Sequence, residues 1–383
     1  MSVSQDTGNP IGIGELGRRL QRAQGEVWLR RVQGDPYADL LRGHAEDPRP
    51  CHERIRALGP LWRSSMGAWV TADHGLAATL LGEPWPYGPV TGDDVHVPVD
   101  GAGLGGDTAH YERLRRAAQP LFTPAAVTEV CRRAVAELGS TFDLVTDLAE
   151  RVPVDLLADR FGLPPEGRRD LADACAAAGV VLDGLLCPQR LDVTRRAVTA
   201  VDRLPALLAS TDDEQATEAA VLLAAAGVRT TARLVTSAVE ALVDRPEEWS
   251  RVADDPAYAA PVVAEVLRHD SPVQLHAVTA RAAGEFAGQR VAAGERVVVL
   301  VGAANRDPEV FADPDRFEPG RPADALLPGL HHRVTLPFAR AQAEAVLRAL
   351  VAAGPPPRRS GPPLRSRRSP VTRHLLSCPL ATG

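Results

Sequence analysis

The sequence predicts a mainly α fold with a small β portion, folded as one helix-rich domain. Two observations carry this. Apolar residues recur at helical spacing from residue 51 to 204, and again over 217–243, 261–269 and 337–353. Strand-like runs are short and cluster between residues 278 and 300. No internal repeat and no clear linker interrupts the pattern.

Composition sets the outer limits. At 383 residues the chain is long enough to bury a substantial core. Its 45% hydrophobic and 24% charged residues are ordinary for a globular protein. A net charge of −6 gives no basic footprint for nucleic acid. The sequence contains no Lys, so all 43 basic residues are Arg. Its five cysteines, Cys51, Cys131, Cys175, Cys187 and Cys378, are scattered without a CxxC pair or metal-ligand spacing, and read as reduced thiols. Residues 1–20 include Asp6, Glu15, Arg18 and Arg19 and no apolar core of a signal peptide. No uninterrupted apolar run approaches bilayer-spanning length, so a cytoplasmic protein with no membrane partner is expected.

Taken in order, the elements follow from local chemistry. Residues 12–33 place Ile13, Leu16, Leu20, Ala23 and Val27 on one helical stripe. Gly17 and Gly25 weaken this helix in isolation, so it needs a surface to lie on. Asp35-Pro36 and residues 47–50 are breakers. Residues 1–50 thus form an N-terminal helical extension, followed by the domain proper over 51–383. Trp69-Val70-Thr71 reads as a short strand and 93–106 as a Gly-rich loop. Helices punctuated by Pro fill 108–204. The longest clean helix covers 217–243, ended with the help of Pro246, and another covers 261–269. Strands follow, with a turn at Ala293-Gly294-Glu295, then a polar coil over 303–322. The last helix is expected to open at Pro337 and run to residue 353. Beyond it, residues 358–373 carry six Arg and no acid, as a solvated terminal β segment or a contact for an acidic partner.

One motif misleads. Gly101-Ala102-Gly103-Leu104-Gly105-Gly106 satisfies GxGxxG, but the dinucleotide fingerprint needs a preceding strand and a βαβ unit. The flanks supply no second parallel strand, so a loop is the better reading.

Four other segments act together. Glu265-Val266-Leu267-Arg268 fits ExxR, a pattern that Glu112 to Arg115 also fits by chance. Its context is more specific: "EVLRHDSPVQL" is followed by "GERVVVLVGAANRDPEVFADPDRFEPGRP". In order and spacing this block resembles the K helix, strand and meander of the cytochrome P-450 superfamily, and the likeness spans nearly the whole chain. The resemblance implies that fold, with a structural ion cluster of Glu265, Arg268 and Arg316. The long helix resembles the family's I helix, and reads Ala226-Gly227-Val228-Arg229-Thr230-Thr231. Arg229 stands where the family has the acid of a proton relay, with Thr230 beside it. Arg has no acceptor and stays protonated, so it cannot replace that carboxylate. "DTAHYERLRR" resembles the C-helix segment. There Arg115 matches a haem-propionate ligand, while Tyr111 takes the place of the usual His unless a one-residue shift lets His110 serve. The second propionate Arg falls at Val278, and Arg281 would face differently in a strand.

The family's haem loop, FGxGx(H/R)xCxG, leads into a helix. Counting back from Pro337-Phe338-Ala339-Arg340 aligns it with residues 326–335. Gly329 and His331 match, and the cysteine position is Arg333. In the family that thiolate pushes electron density onto iron. A guanidinium offers the metal no lone pair, and against iron it would be a buried, unpaired cation. His331 and His332 are either substitute axial ligands or loop residues facing solvent. The resemblance therefore implies a pseudoenzyme without haem or metal.

One branch of the superfamily lost this cysteine. Its members assist glycosyltransferases that attach TDP-linked deoxyaminosugars to macrolides and anthracyclines. The segments "WLRRVQGDPYADLLRGHAEDP", "GAWVTADHGLAATLL" and "RSRRSPVTRHLLS" are similar to that branch. The expected function is to bind and activate or stabilise such a transferase, with no catalytic residue contributed. Leu16, Leu20, Val27 and Trp28 are the candidate contact surface; alternatively the stripe packs on its own domain, with Trp28 the best placed to remain outside. Two other readings stay open: a haem-binding monooxygenase with a non-Cys ligand, and a small-molecule binding module using the vacated cavity.

Overall fold

A stretch rich in Ala, Leu and Val around its whole circumference can be a helix only if it is enclosed on every side. In the computed structural model, Glu214–Val243 is such a helix, and the protein is built around it. The structure describes residues 12–43, 47–82, 87–89, 97, 99–209, 213–322, 325–326 and 331–382. Asp213 caps the helix by accepting from the Ala216 N–H at 3.0 Å. A π-helical segment, Leu223–Gly227, interrupts its middle. By length and composition this helix could cross a bilayer, contrary to the sequence-based expectation, but 94% of its apolar window is buried inside the protein.

The C-terminal helix packs along it. Phe338 is fully buried, lies against Gly227, and meets Phe122 edge-on with ring centroids 5.4 Å apart. This helix spans His332–Ala353, opening earlier than the expected start at Pro337. Proline usually marks a first turn because it lacks an N–H. Here the turn ahead of it buries Val334, Thr335 and Leu336, and that packing carries the helix through Pro337, which faces outward.

Aspartate caps account for many helix starts. Asp35, Asp73, Asp107 and Asp255 each accept from an N–H of the first turn. Asp35 also accepts from Ser64 and Ser65, tying the N-terminal helices to the neighbouring hairpin. The first helix, Ile13–Val32, lies on the body as anticipated. Leu20 and Val27 are 1% and 6% exposed, and Gln24 donates to the Gln189 carbonyl at 2.8 Å. Val27, Tyr37, Leu40 and Leu41 share one hydrophobic core with the helices that follow.

Among the described residues the largest sheet has five strands, in the order Trp62–Arg63, Trp69–Thr71, Arg296–Val299, His276–Ala280, Tyr87–Pro89. Trp69–Thr71 runs parallel to Arg296–Val299, which pairs antiparallel with His276–Ala280. A two-residue hairpin turn at Ala287 and Gly288, both at positive φ, joins Gly284–Phe286 to Gln289–Val291. The tail forms short strands at Arg358–Arg359, Leu364–Arg365, Leu375–Ser377 and Pro379–Ala381. The last of these pairs with Thr141–Asp143, a strand set among helices.

Candidate functional site

The central helix carries Arg229 and Thr230 just past its π segment. Successive side chains on a helix diverge by about 100°, and the two residues separate accordingly. Thr230 is buried and turns its hydroxyl back onto its own helix, donating to the Ala226 and Gly227 carbonyls at 3.0 and 3.1 Å. Arg229 reaches toward the helix Pro165–Ala178 and donates to the Ala176 carbonyl at 3.0 Å. Burial lowers its pKa, and Asp183 and Glu150 oppose that shift. The pair is structurally satisfied and holds no acid.

The helix Thr108–Ala118 faces the start of the C-terminal helix. Asp107 caps it, accepting from the His110 N–H at 2.8 Å. That carboxylate sits where a bound phosphate would need the helix N-terminus, which removes the remaining support for a dinucleotide loop at 101–106. Tyr111 is buried and donates its hydroxyl to the Gly103 carbonyl at 2.9 Å; burial pushes the phenol pKa up. His110 lies 3.7 Å from the Glu218 carboxylate. Arg115 donates to Glu112 Oε2 at 3.1 Å, and Arg333 donates to Glu112 Oε1 at 3.2 Å. Glu112 therefore bridges the two residues that align with a propionate ligand and with the ligating cysteine. The Arg115 and Arg333 guanidinium groups hold its carboxyl below the usual range.

Arg333 lies in the first turn of the C-terminal helix with its side chain 40% exposed. It is neither buried nor unpaired. The two histidines before it take the interior instead. His331 and His332 are 7% and 5% exposed, which corrects the alternative that they face solvent. Their ring centroids are 4.3 Å apart, and His276 lies 6.0 Å from His331. Nε2 of each of the pair is buried and has no hydrogen-bond partner among the described residues. Burial lowers the pKa of His332 to about 3 and of His276 to about 4. Burial, reinforced by His332 and His276, takes His331 well below its usual value. All three are neutral at pH 7. Gly329 lies outside the described residues.

Val278 sits in the strand His276–Ala280 opposite Val297, buried in the sheet core, and Arg281 is exposed. Neither offers a cation to a propionate. Among the described residues no group of three or more His, Cys, Asp or Glu could hold a metal ion. All five cysteines are buried in other elements; burial raises the Cys131 thiol pKa to about 12, and Cys131 contacts the Gln342 carbonyl. These residues do not fit a thiolate-held porphyrin. No cysteine reaches the aligned position, and Glu112 occupies Arg115, the one arginine aligned with a propionate ligand.

The ion cluster forms with one change of member. Arg268 makes a bidentate pair with Glu265 at 2.9 and 2.7 Å, both side chains fully buried. Arg268 also donates to the carbonyls of Asn305, Pro314 and Arg316 at 3.0, 2.9 and 3.2 Å. Arg316 takes part only through that carbonyl, and its side chain is exposed. Arg321 is the arginine that closes on Glu265, at 3.8 Å, while donating to the Ala312 carbonyl at 2.6 Å. The positive φ of Gly320 reverses the chain between these two arginines.

Of the candidate contact residues, Leu20 and Val27 are spent on the protein's own core and Leu16 is half-buried, so these three are withdrawn as a contact surface. Trp28 is 57% exposed, and Leu29 and Val32 beside it are exposed too. Sequence reasoning missed Glu112, His276 and Arg321. Glu112 had a signal, since its ExxR spacing places it on the same helix face as Arg115. His276 had none, because its partners lie far along the chain.

A cytochrome P450 family model matches residues 191–340. Protein DesVIII of Streptomyces venezuelae is 40% identical, covering 96% of this chain and 94% of its own length. Cytochrome P450 family protein EryCII of Saccharopolyspora erythraea is 38% identical, covering 95% of this chain and 97% of its own. The ligand-free structure of Mycobacterium smegmatis CYP164A2 superposes with a TM-score of 0.75 at 25% identity, covering 94% of this chain and 100% of that one. With its buried Glu265–Arg268 pair, its interrupted central helix and this full-length similarity, the chain belongs to the cytochrome P450 family.

Proposed function

We propose that this chain is a non-catalytic member of its family. It binds a cytoplasmic glycosyltransferase that attaches a TDP-activated deoxyaminosugar to a macrolide or related polyketide, and it activates or stabilises that enzyme. It works without haem, metal, membrane or nucleic acid. One observation carries the reading: the residue aligned with the ligating cysteine is an arginine on a helical turn, tied to Glu112. Oxygen activation in this fold needs a thiolate on iron, and a guanidinium cannot supply one. Similarity to DesVIII and EryCII over nearly their whole lengths supports a shared role.

The action is a population shift. A transferase that samples inactive and active states is biased toward the active one by a partner with higher affinity for it. The exposed Trp28, Leu29 and Val32 patch is the proposed contact. Co-expression with a transferase of this type from the same organism tests the reading. A soluble complex and transferase turnover that collapses without this chain are expected; equal turnover by the transferase alone would end the proposal.

The Nε2 atoms of His331 and His332, buried and without a partner among the described residues, favour one second reading, an imidazole-held porphyrin. A purified protein with a Soret band that shifts on carbon monoxide would select it, and a colourless one removes it.

A further inference from the structure

A pocket of about 300 Å³ opens where the central helix passes the helices Arg151–Arg160 and Pro165–Ala178. Thr230, His331, His332 and Arg333 are not among its described lining residues, so it is separate from the aligned haem position. Val154, Cys175 and Val228 are buried and give it apolar walls. Ala172 and Ala176, one helical turn apart and exposed, leave its mouth open. Arg229 enters it from the central helix. A Cβ on Gly179 would meet Arg229 Nε at 2.3 Å, so the absence of a side chain there makes room for the guanidinium.

Among the described lining residues, Arg229 is the cation with no carboxylate in ion-pair contact. Arg151 pairs with Glu137 and Asp155, Arg168 with Asp159 at 2.6 Å, and Arg169 with Glu166 at 3.7 Å. The hydrogen bond of Arg229 to the Ala176 carbonyl uses Nη2. Its Nε and Nη1 make no hydrogen bond among the described residues, and neither is sealed from solvent. The carboxylates of the pocket are committed elsewhere: Asp155 to Arg151 at 3.1 Å, while Glu150 lies against His374 Nε2 at 3.2 Å. Burial lowers the Arg229 pKa, and Asp183 and Glu150 oppose this from beyond ion-pair distance. A partly desolvated cation without an anion in contact is unfavourable.

We propose that this pocket binds a small organic monocarboxylate, its carboxylate on Arg229 and a short aliphatic body against Val154, Ala172 and Val228. The planar guanidinium fork fits a carboxylate through parallel N–H donors. One negative charge on the ligand matches one cation without a contact anion, and Glu150 in the same pocket disfavours a second. The apolar walls are aliphatic, with no aromatic ring among the described lining residues. The volume lies at the small end for organic ligands, which limits the body to a few carbons. This inference stands apart from the partner role and does not depend on it.

Titration of the full-length protein with sodium 4-methylpentanoate at constant ionic strength, by calorimetry and by thermal shift, tests it. One saturable site per chain is expected, with a melting temperature that rises with ligand. Acetate lacks the aliphatic body and 4-methylpentanamide lacks the charge, and each is expected to bind about tenfold or more weakly. Arg229→Gln is expected to weaken binding of the acid about tenfold or more. Ala172→Phe keeps the cation and fills the mouth of the pocket from an exposed position, and is expected to abolish binding with the fold intact. That variant decides the matter even if Arg229→Gln does not fold. The proposal fails if the parent shows no saturable binding, if acetate or the amide binds as tightly as the acid, or if either folded variant binds the acid as tightly as the parent.

Discussion

Arg333 shows how a catalytic position is reused once its chemistry is gone. A cation facing a porphyrin would need compensation, and this one turns outward to a carboxylate that also holds Arg115. Pairs this exposed contribute little to stability. Arg333→Ala is therefore expected to shift the denaturation midpoint no further than an ordinary surface substitution, and a strong stabilisation would show that the arginine is strained where it stands. Restoring the sulfur is not expected to restore the enzyme. In Arg333→Cys the thiol sits on a helical turn beside Glu112, with His331 and His332 filling the interior side. Incubation with haemin should give no thiolate-type ferrous–carbonyl spectrum. A stoichiometric spectrum of that kind would mean the site is one substitution from function.

At the scale of elements, the pair Glu265 and Arg268 clips the helix Ala259–His269 to the coil that follows the sheet. Removing one partner of a buried pair leaves the other uncompensated, at about 3–5 kcal/mol. Arg268→Ala is expected to fall in that range by urea unfolding. Arg321→Ala loses hydrogen bonds to carbonyls and is expected to cost about 1–2 kcal/mol. Arg316→Ala keeps the backbone carbonyl that Arg268 uses and is expected to stay within about 0.5 kcal/mol. If Arg316→Ala proves costlier than Arg321→Ala, the closing arginine has been misassigned. This cluster also shows what was legible in the sequence. "EVLR" with its downstream block was enough to place the clip, because helical spacing sets which residues share a face. The closing arginine was not readable, because spacing along a coil does not set direction and Gly320 turns the chain back. The central helix was legible from its apolar run, and its π segment was not. The early start of the C-terminal helix stayed hidden because Pro337 imitates a first-turn signal that tertiary packing overrides. Thr141–Asp143 finds its strand partner at the far end of the chain, a pairing no local pattern carries.

For the whole molecule, burying neutral imidazoles links folding to pH. His52, His331 and His332 are all nearly inaccessible to solvent. Burial lowers His52 and His332 to about 3 and takes His331 well below its usual value. The unfolded chain, with ordinary imidazoles, binds protons that the folded one refuses. The stability they allow is therefore complete above pH ~6.5 and is lost as pH falls from there toward the depressed folded values. At pH 5.5 the loss is about 1–1.5 kcal/mol per histidine, so about 4 kcal/mol for these three. That is a large share of a typical ~5–15 kcal/mol total. Asp270, held at about 2 because Arg233, Arg373 and Arg365 outweigh its burial, acts in the same sense but weakens the fold only at much lower pH, as pH falls below its unfolded value of about 4. Acid sensitivity should thus begin in the histidine range, before carboxylates titrate. Urea unfolding at pH 7.5, 6.5 and 5.5 should show the free energy falling mainly over the last interval. A His331→Gln, His332→Gln double variant should flatten part of that fall, because glutamine takes up no proton in either state. A parent protein equally stable at pH 7.5 and 5.5 would mean that these imidazoles are hydrated and titrate normally, and that the interior at the start of the C-terminal helix is open to water.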